Sequence, residues 1–189
     1  MNDITSKNTI KINDKFCWAI RSSEKIKLNK TDKNELQDNF WSFLTAFQQI
    51  WYYFSGFIQE LNPHISKNKI SRLSQAIIEE WKCEMLNEAE KKSWDILHKL
   101  RNYDTHSAPV TSNYILKNKL IISNGKKILT TNTGKYLTFS SGNITVLFEG
   151  KEYDIDKLTS NGLTAINKLI DYMPLIEEKI IDKDYNQAI

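Results

Sequence analysis

The chain has 189 residues, of which 40% are apolar and 26% are charged, and its formal net charge is +3. This length fits one domain of ordinary size with a real core, and this composition argues against wholesale disorder. The N-terminus lacks the basic head and apolar stretch of a signal peptide, and no apolar run reaches the roughly 18 residues of a membrane span. Cys17 and Cys83 are distant thiols without a CxxC pair, so neither a disulfide framework nor a zinc site is predicted. We therefore expect a cytoplasmic protein without a membrane segment, a metal or a cofactor.

The first part of the chain, residues 1–31, alternates short apolar pieces with lysines. We interpret it as an irregular N-terminal arm or as one or two short strands. Its basic character has two explanations, a solvated face or a surface that steers RNA. The lysines concerned are Lys7, Lys11, Lys15, Lys25, Lys27 and Lys30.

A long helix is predicted from residue 33 to the "NPH" that begins at residue 62. Asp32 can cap this helix while Glu35 reaches back, which is a capping-box arrangement, and Pro63 ends it. Apolar residues three and four positions apart form one wide stripe, which is either domain core or the seam of a homodimer. The stripe consists of Phe40, Phe43, Leu44, Phe47, Ile50, Trp51, Phe54, Phe57, Ile58 and Leu61.

A second helical stretch begins around Ser66, either as one helix or as two that break near "LNEAEKKS" at residues 86–93. The short connection to the first helix implies an antiparallel pair. Pro109 prevents this stretch from passing far beyond His106.

The segment 110–155 changes to β-prone runs, and Asn124-Gly125 between two of them is a strong hairpin signal. We expect an antiparallel meander of three to five strands, followed by a final amphipathic helix in which Pro174 forces a kink or a new start. The predicted fold is therefore α+β and mainly α. It is an antiparallel helical bundle over residues 32–189, with a small antiparallel β meander inserted before the last helix.

The stretch "RNYDTH" at residues 101–106 carries the candidate chemistry. On an unbroken helix, His106 would lie about 140° around the axis from Arg101. If the helix ends at Asn102 or Tyr103, His106 can turn back beside Arg101. A guanidinium beside a titratable imidazole suits phosphodiester cleavage, because arginine binds phosphate oxygens bidentately and histidine moves a proton near neutral pH.

At these residues the chain resembles the HEPN domains, whose signature is an arginine, a polar residue, and a histidine after four to six intervening residues, at a helix end. Here the pattern is Arg101, Asn102 and His106, and the resemblance covers roughly residues 32–109 and 160–182. The β-rich stretch is not part of the minimal HEPN fold. Ala108 stands where some toxin members carry a tyrosine, so regulation by modification of that tyrosine is not implied.

The resemblance implies a metal-independent endoribonuclease of a toxin or phage-defence type that acts as a homodimer with a composite site. In it, His106 takes the proton from a ribose 2′-hydroxyl, Arg101 stabilises the phosphorane, and the product carries a 2′,3′-cyclic phosphate. Asn102 orients the histidine or the phosphate, or only helps to end the helix. Asp104 pairs with Arg101 or fixes the tautomer of His106.

RNA is the expected substrate, and a cognate antitoxin or defence-system protein is a further possible partner. Two alternatives stay open: a non-catalytic dimeric module that binds a nucleotide or a partner protein, and a structural scaffold. Of the other histidines, His64 is interpreted as a turn residue and His98 as a solvated one.

Overall fold

A computed structural model describes residues 6–28, 33–107, 120–123, 126–130, 136–140, 143–148 and 151–181, with side chains described at 6–28, 35–101, 145–146 and 151–180. The described chain is mainly helical and carries one small antiparallel sheet. Its helices are α1 (Lys7–Leu28), α2 (Lys33–Leu61), α3 (Lys67–Met85), α4 (Glu88–Ser107) and α5 (Ile155–Ile181). None of the described helices is both long enough and apolar enough to cross a lipid bilayer.

Residues 7–28 form the helix α1, so the predicted irregular arm or short strands are wrong for this part of residues 1–31. Ile12, Ala19 and Ile26 recur every seven residues and are fully buried, which makes one narrow stripe against the bundle. The stripe is not recognisable from hydrophobicity alone, because two of the buried positions on this side of α1 are serines, Ser22 and Ser23, rather than apolar residues. The helical domain therefore begins before residue 32.

The two N-terminal helices lie antiparallel. Asn8, near the start of α1, donates from Nδ2 to Glu60 Oε1 near the end of α2 at 2.7 Å, and Lys11 Nζ lies 5.0 Å from the ring centre of Tyr53. These contacts pair the first turns of α1 with the last turns of α2, and α1 makes its most extensive contacts with α2.

Helix α2 begins at Lys33 as predicted, while Asp32 of the predicted capping box lies outside the described residues. Most of its aromatic stripe is buried within the single chain, so domain core is confirmed for those residues. They include Phe40, Phe43, Leu44, Phe47, Ile50, Phe54, Phe57 and Ile58. Phe47 packs edge-on against Trp94 of α4, which packs edge-on against Trp81 of α3, at ring-centre distances of 4.8 and 4.9 Å.

The second helical stretch consists of two helices, and the break lies at residues 86–87, within the predicted segment. The side chain of Asn87 accepts the N–H of Glu90, and Glu90 Oε2 accepts the N–H of Asn87 at 2.9 Å. This reciprocal pair is a capping box that starts α4. Lys168 of α5 donates to Glu90 Oε2 at 2.8 Å and to the carbonyl of Met85 at 3.1 Å. The α3–α4 turn is thereby tied to α5.

The sheet is an antiparallel meander in which each strand pairs with the next along the chain. Its strands are β1 (Leu120–Ser123), β2 (Lys126–Thr130), β3 (Tyr136–Ser140), β4 (Asn143–Phe148) and β5 (Lys151–Asp154). Ser123 pairs with Lys126, which leaves two residues between β1 and β2, as the hairpin signal predicts. Those two residues, Asn124 and Gly125, lie outside the described part of the chain. The predicted sheet before the last helix is confirmed.

Helix α5 runs unbroken through Pro174, so the predicted new start does not occur. Buried residues on both sides of the proline, Met173 and Ile176 among them, hold the helix against the core. Helices α4 and α5 approach closely at Gly162, where a Cβ atom would lie 2.5 Å from Leu97 Cδ1.

Replacing Glu90 with alanine should lower the free energy of unfolding by about 1–3 kcal/mol, because Lys168 and the N–H of Asn87 lose their carboxylate acceptor. Burial raises the pKa of Glu90, but the hydrogen bonds from Lys168 and Asn87 outweigh burial, so its pKa lies below the usual value. A lowered carboxyl pKa stabilises the fold above the unfolded pKa of about 4.3, and this contribution is lost as the pH falls through the folded pKa.

Chemical denaturation near pH 7 and in acid measures both effects, and the difference between wild type and Glu90→Ala should shrink in acid. Glu88→Ala is the matched control, since Glu88 lies in the same helical turn but its side chain is 92% exposed. It should change stability by less than about 0.5 kcal/mol. Equal effects of the two substitutions would contradict the role of Glu90.

Candidate functional site

The candidate residues of "RNYDTH" all lie on one continuous helix. Helix α4 runs to Ser107, so it ends close to His106 as predicted, and the condition of a helix end at Asn102 or Tyr103 is not met. The reason is that proline disfavours helix only from the residue before it, and Pro109 therefore leaves residues up to 107 free to continue. Arg101 and His106 consequently occupy positions about 140° apart around α4. The helix does not bring these two positions together within one chain.

The unbroken helix creates different groupings from those expected. His98, Asn102 and His106 follow one another at four-residue intervals, so their positions lie along one face of α4. Arg101 and Asp104 are three positions apart and share another face. Arg101 is half-buried, while the side chains of Asn102, Asp104 and His106 lie outside the described residues.

A cleft lies between α3 and α4 beside the face that carries His98. Its volume is about 250 Å³, and it is open to solvent on one side. It is lined by Trp51, Gln75, Ile78, Glu79, Lys82, Trp94, Asp95, His98 and Lys99. The positions of Asn102 and His106 continue the row of His98 along α4, one and two turns beyond this cleft.

His98 is part of the cleft wall and is half-buried, so the interpretation of it as a solvated residue is wrong. Its ring lies edge-on to Trp51 of α2, with the ring centres 5.5 Å apart. The sequence holds a signal for this burial, since His98 follows Trp94 by four positions and Leu97 by one, at the edge of the apolar face of α4. His64 is exposed in the turn between α2 and α3, as predicted.

Lys82 is the central cation of the cleft. Its Nζ lies 2.7 Å from Asp95 Oδ1 and 3.1 Å from Glu79 Oε2, and its side chain is only 12% exposed. Burial lowers the pKa of Lys82, but the two carboxylates outweigh burial and raise it above its usual value. The ammonium is therefore permanently charged near neutral pH.

This cation affects the imidazole next to it. Desolvation lowers the pKa of His98, the charge of Asp95 raises it, and the charge of Lys82 lowers it; the net result lies below the usual value. A histidine with a lowered pKa is neutral at pH 7, so one ring nitrogen carries a lone pair that accepts a proton or a hydrogen bond. The cleft thus combines a proton acceptor, a fixed cation and an aromatic wall.

Comparisons of the chain with protein-family models, with curated proteins and with solved structures found no match. Within the described residues, no three side chains of His, Cys, Asp or Glu gather as the ligands of a metal ion would. The chemistry of the candidate site therefore has to be inferred from its own residues.

Substituting Lys82 by methionine should raise the pKa of His98, because it removes a positive charge and leaves the charge of Asp95 unopposed. Histidine proton resonances followed by NMR from pH 4 to 9 measure this pKa, and the His98→Gln spectrum identifies the signal. Lys99→Met is the control, since Lys99 lines the same cleft but is exposed, and it should shift the pKa less. A wild-type pKa of His98 at or above about 6.5 would contradict the effect of burial and Lys82 on this imidazole.

Proposed function

We propose that the protein is a metal-independent endoribonuclease of HEPN-like type, which cleaves RNA through attack of a ribose 2′-hydroxyl. The observation that carries this proposal is the C-terminal half of α4, where a mainly helical domain presents Arg101, Asn102, Asp104 and His106 on its last turns. The proton-accepting cleft at His98 continues the same helix face, which supports a site for proton transfer there.

In the proposed reaction, His106 removes the proton of the 2′-hydroxyl, whose oxygen attacks the adjacent phosphorus. The bond to the 5′-oxygen of the next nucleotide breaks, this oxygen takes a proton from water and leaves as a 5′-hydroxyl, and a 2′,3′-cyclic phosphate remains. Arg101 stabilises the negative charge that develops on the phosphorane oxygens. Asn102, one turn before His106, is proposed to orient the imidazole, and Asp104, three positions from Arg101, to hold the guanidinium.

The angle between positions 101 and 106 favours a site shared by two copies of the chain. Since one protomer does not bring both positions together, each proposed site takes Arg101 from one protomer and His106 from its partner. The apolar stripe of α2 serves as the core of each chain, so the dimer needs a different surface. The exposed face of α4 is proposed for an isologous contact of at least about 1,000 Å².

The same angle also favours a second candidate, a non-catalytic dimeric module that binds a nucleotide or a partner protein. In that case Arg101 and His106 never meet, and they serve packing or binding separately. Cleavage assays separate this candidate from the nuclease.

RNA cleavage in the presence of EDTA should fall by about 10²-fold or more in His106→Ala, because general acid–base catalysis contributes about 10² to 10⁴-fold. Arg101→Ala should cause a comparable loss. His64→Ala is the matched control, since His64 is an exposed turn residue, and it should keep the wild-type rate. Analysis of the 3′ ends should detect cyclic phosphates. An inactive wild type, or an active His106→Ala protein, would favour the binding module.

Mixing Arg101→Ala and His106→Ala chains under exchange conditions tests the shared site. Each mixed dimer would contain one site with an intact Arg101 and an intact His106, so an equal mixture should recover about a quarter of the wild-type activity. The two variants incubated separately are the control and should stay inactive. A mixture as inactive as its components would contradict a site built across the two protomers.

A further inference from the structure

A second groove, between α1 and α2, has the side chains of a nucleotide-binding surface. Its deepest part has a volume of about 320 Å³, at the lower end of the range for ligand pockets. It is lined by Trp18, Arg21, Ser22 and Lys25 of α1 and by Asn39 and Ser42 of α2. The lining contains two cations, three amide or hydroxyl groups and one indole, and it contains no carboxylate.

The two cations of this groove, Arg21 and Lys25, are exposed and have no carboxylate partner among the described residues. Within the described part of the chain, neither Arg21 nor Lys25 forms an ion pair. Arg21 donates from Nε to the carbonyl of Cys17 at 3.3 Å, which fixes the guanidinium stem and leaves its terminal nitrogens for an anion. A phosphate group is the anion that this geometry suits best, because guanidinium binds its oxygens bidentately.

A row of mostly basic positions continues from the groove along α1 toward its N-terminus. Lys11, Lys15, Trp18, Ser22 and Lys25 follow one another at intervals of four and three residues, so they lie in one row on the helix. The row from Lys11 to Lys25 is about 21 Å long at 1.5 Å per residue. It is therefore longer than one nucleotide requires and fits several successive phosphates of an extended strand.

Two cations of this row lie over aromatic rings, one on α1 and one on α2. Lys15 Nζ lies 4.4 Å from the ring centre of Trp18, and Lys11 Nζ lies 5.0 Å from that of Tyr53. A base that displaces Lys15 from the face of Trp18 can stack on this ring while the ammonium contacts the phosphate, and stacking together with cationic contacts holds single strands without reading sequence. A double helix would hide its bases from these rings.

The carboxylates near the row lie on its borders. Asp14 of α1 and Asp38 of α2 are exposed, and Glu35 accepts a hydrogen bond from Asn39. Glu60, at the far end of α2, is bonded by Ser6 and Asn8. None of the four lines the deepest part of the groove, so the binding surface stays cationic at its centre.

We infer that the groove between α1 and α2 binds single-stranded RNA, with phosphates on Arg21, Lys25 and Lys15 and a base stacked on Trp18. The choice of RNA rests on the proposed endoribonuclease. The groove is separate from the α4 site. On α2, Tyr53 faces α1 and Trp51 faces His98 of α4, and these two positions lie about 160° apart around the helix axis. The groove is thus a surface that holds the strand away from the scissile bond in the same protomer.

Binding of a labelled 2′-O-methyl uridine oligonucleotide, measured by fluorescence anisotropy, tests this inference independently of cleavage, since this RNA lacks the attacking hydroxyl. The double variant Arg21→Gln/Lys25→Gln should bind at least tenfold more weakly. A plot of the logarithm of its binding constant against the logarithm of the salt concentration should be less steep, by about 0.7 for each lost cation. Trp18→Leu should weaken binding by about five- to a hundredfold through lost stacking.

The matched control is Lys27→Gln/Lys69→Gln, which removes the same charge from exposed positions off the row and should change affinity less than threefold. Melting curves check that each variant folds, and a variant that does not fold is replaced by the single substitution Arg21→Gln. Equal losses in the test and control variants would overturn the inference. So would a duplex RNA, or uridine monophosphate, that competes as well as the single strand. If the protein cleaves RNA but the oligonucleotide does not bind in the groove, the inference about the groove is wrong and the proposed function is unaffected. If the oligonucleotide binds in the groove but the protein does not cleave RNA, the proposed function is wrong and the inference about the groove is unaffected.

Discussion

Coverage of the apolar surface of α2 is the constraint on which the rest of the fold depends. This helix has 29 residues, and buried side chains recur along it from Leu36 to Ile58. Because water is excluded most effectively when every side of such a helix is covered, the other four described helices all pack on it. Its long axis therefore sets where α1, α3 and α4 lie, and it separates the chain into two faces with different chemistry. One face carries the cationic groove beside α1, and the other carries the cleft with His98.

The two faces also differ in how their charges are arranged. In the cleft, the positive charge of Lys82 is paired with the carboxylates of Glu79 and Asp95. The same charge helps to lower the pKa of the neighbouring His98. In the groove, the cations face solvent without such compensation, which favours attraction of a polyanion over long distances. The proposed ribonuclease uses the uncompensated surface to capture the strand, while the proton moves at His106, further along α4 from the compensated Lys82. Charge composition alone, a net +3, gives no hint of this division.

Sequence reasoning predicted the elements whose signals are local and strong. The start of α2, the break at residues 86–87 and the β1–β2 pairing all follow from a stripe, a polar segment or a turn dipeptide. Helix α1 was not predicted, because its buried stripe contains serines. The end of α4 near His106 follows from Pro109, but the condition of an earlier end that would bring His106 beside Arg101 is not met. The position of His98 against Trp51 could not be predicted, because it depends on how α2 and α4 cross, which is a property of tertiary packing. The roles of Asn102, Asp104 and His106 stay predictions, since their side chains lie outside the described residues.

The close approach of α4 and α5 at Gly162 has a consequence for the dynamics of the bundle. With Leu97 filling the space that a side chain would need, the two helices cannot slide past each other without first separating. Opening of α4 at this level therefore requires the core around Trp94 and Phe43 to open as well, which makes it a subglobal event rather than local fraying. Backbone amides near Leu97 should accordingly exchange their hydrogens with solvent on the timescale of cooperative unfolding. Fraying of α4 from its C-terminal end should therefore stop before it reaches Leu97.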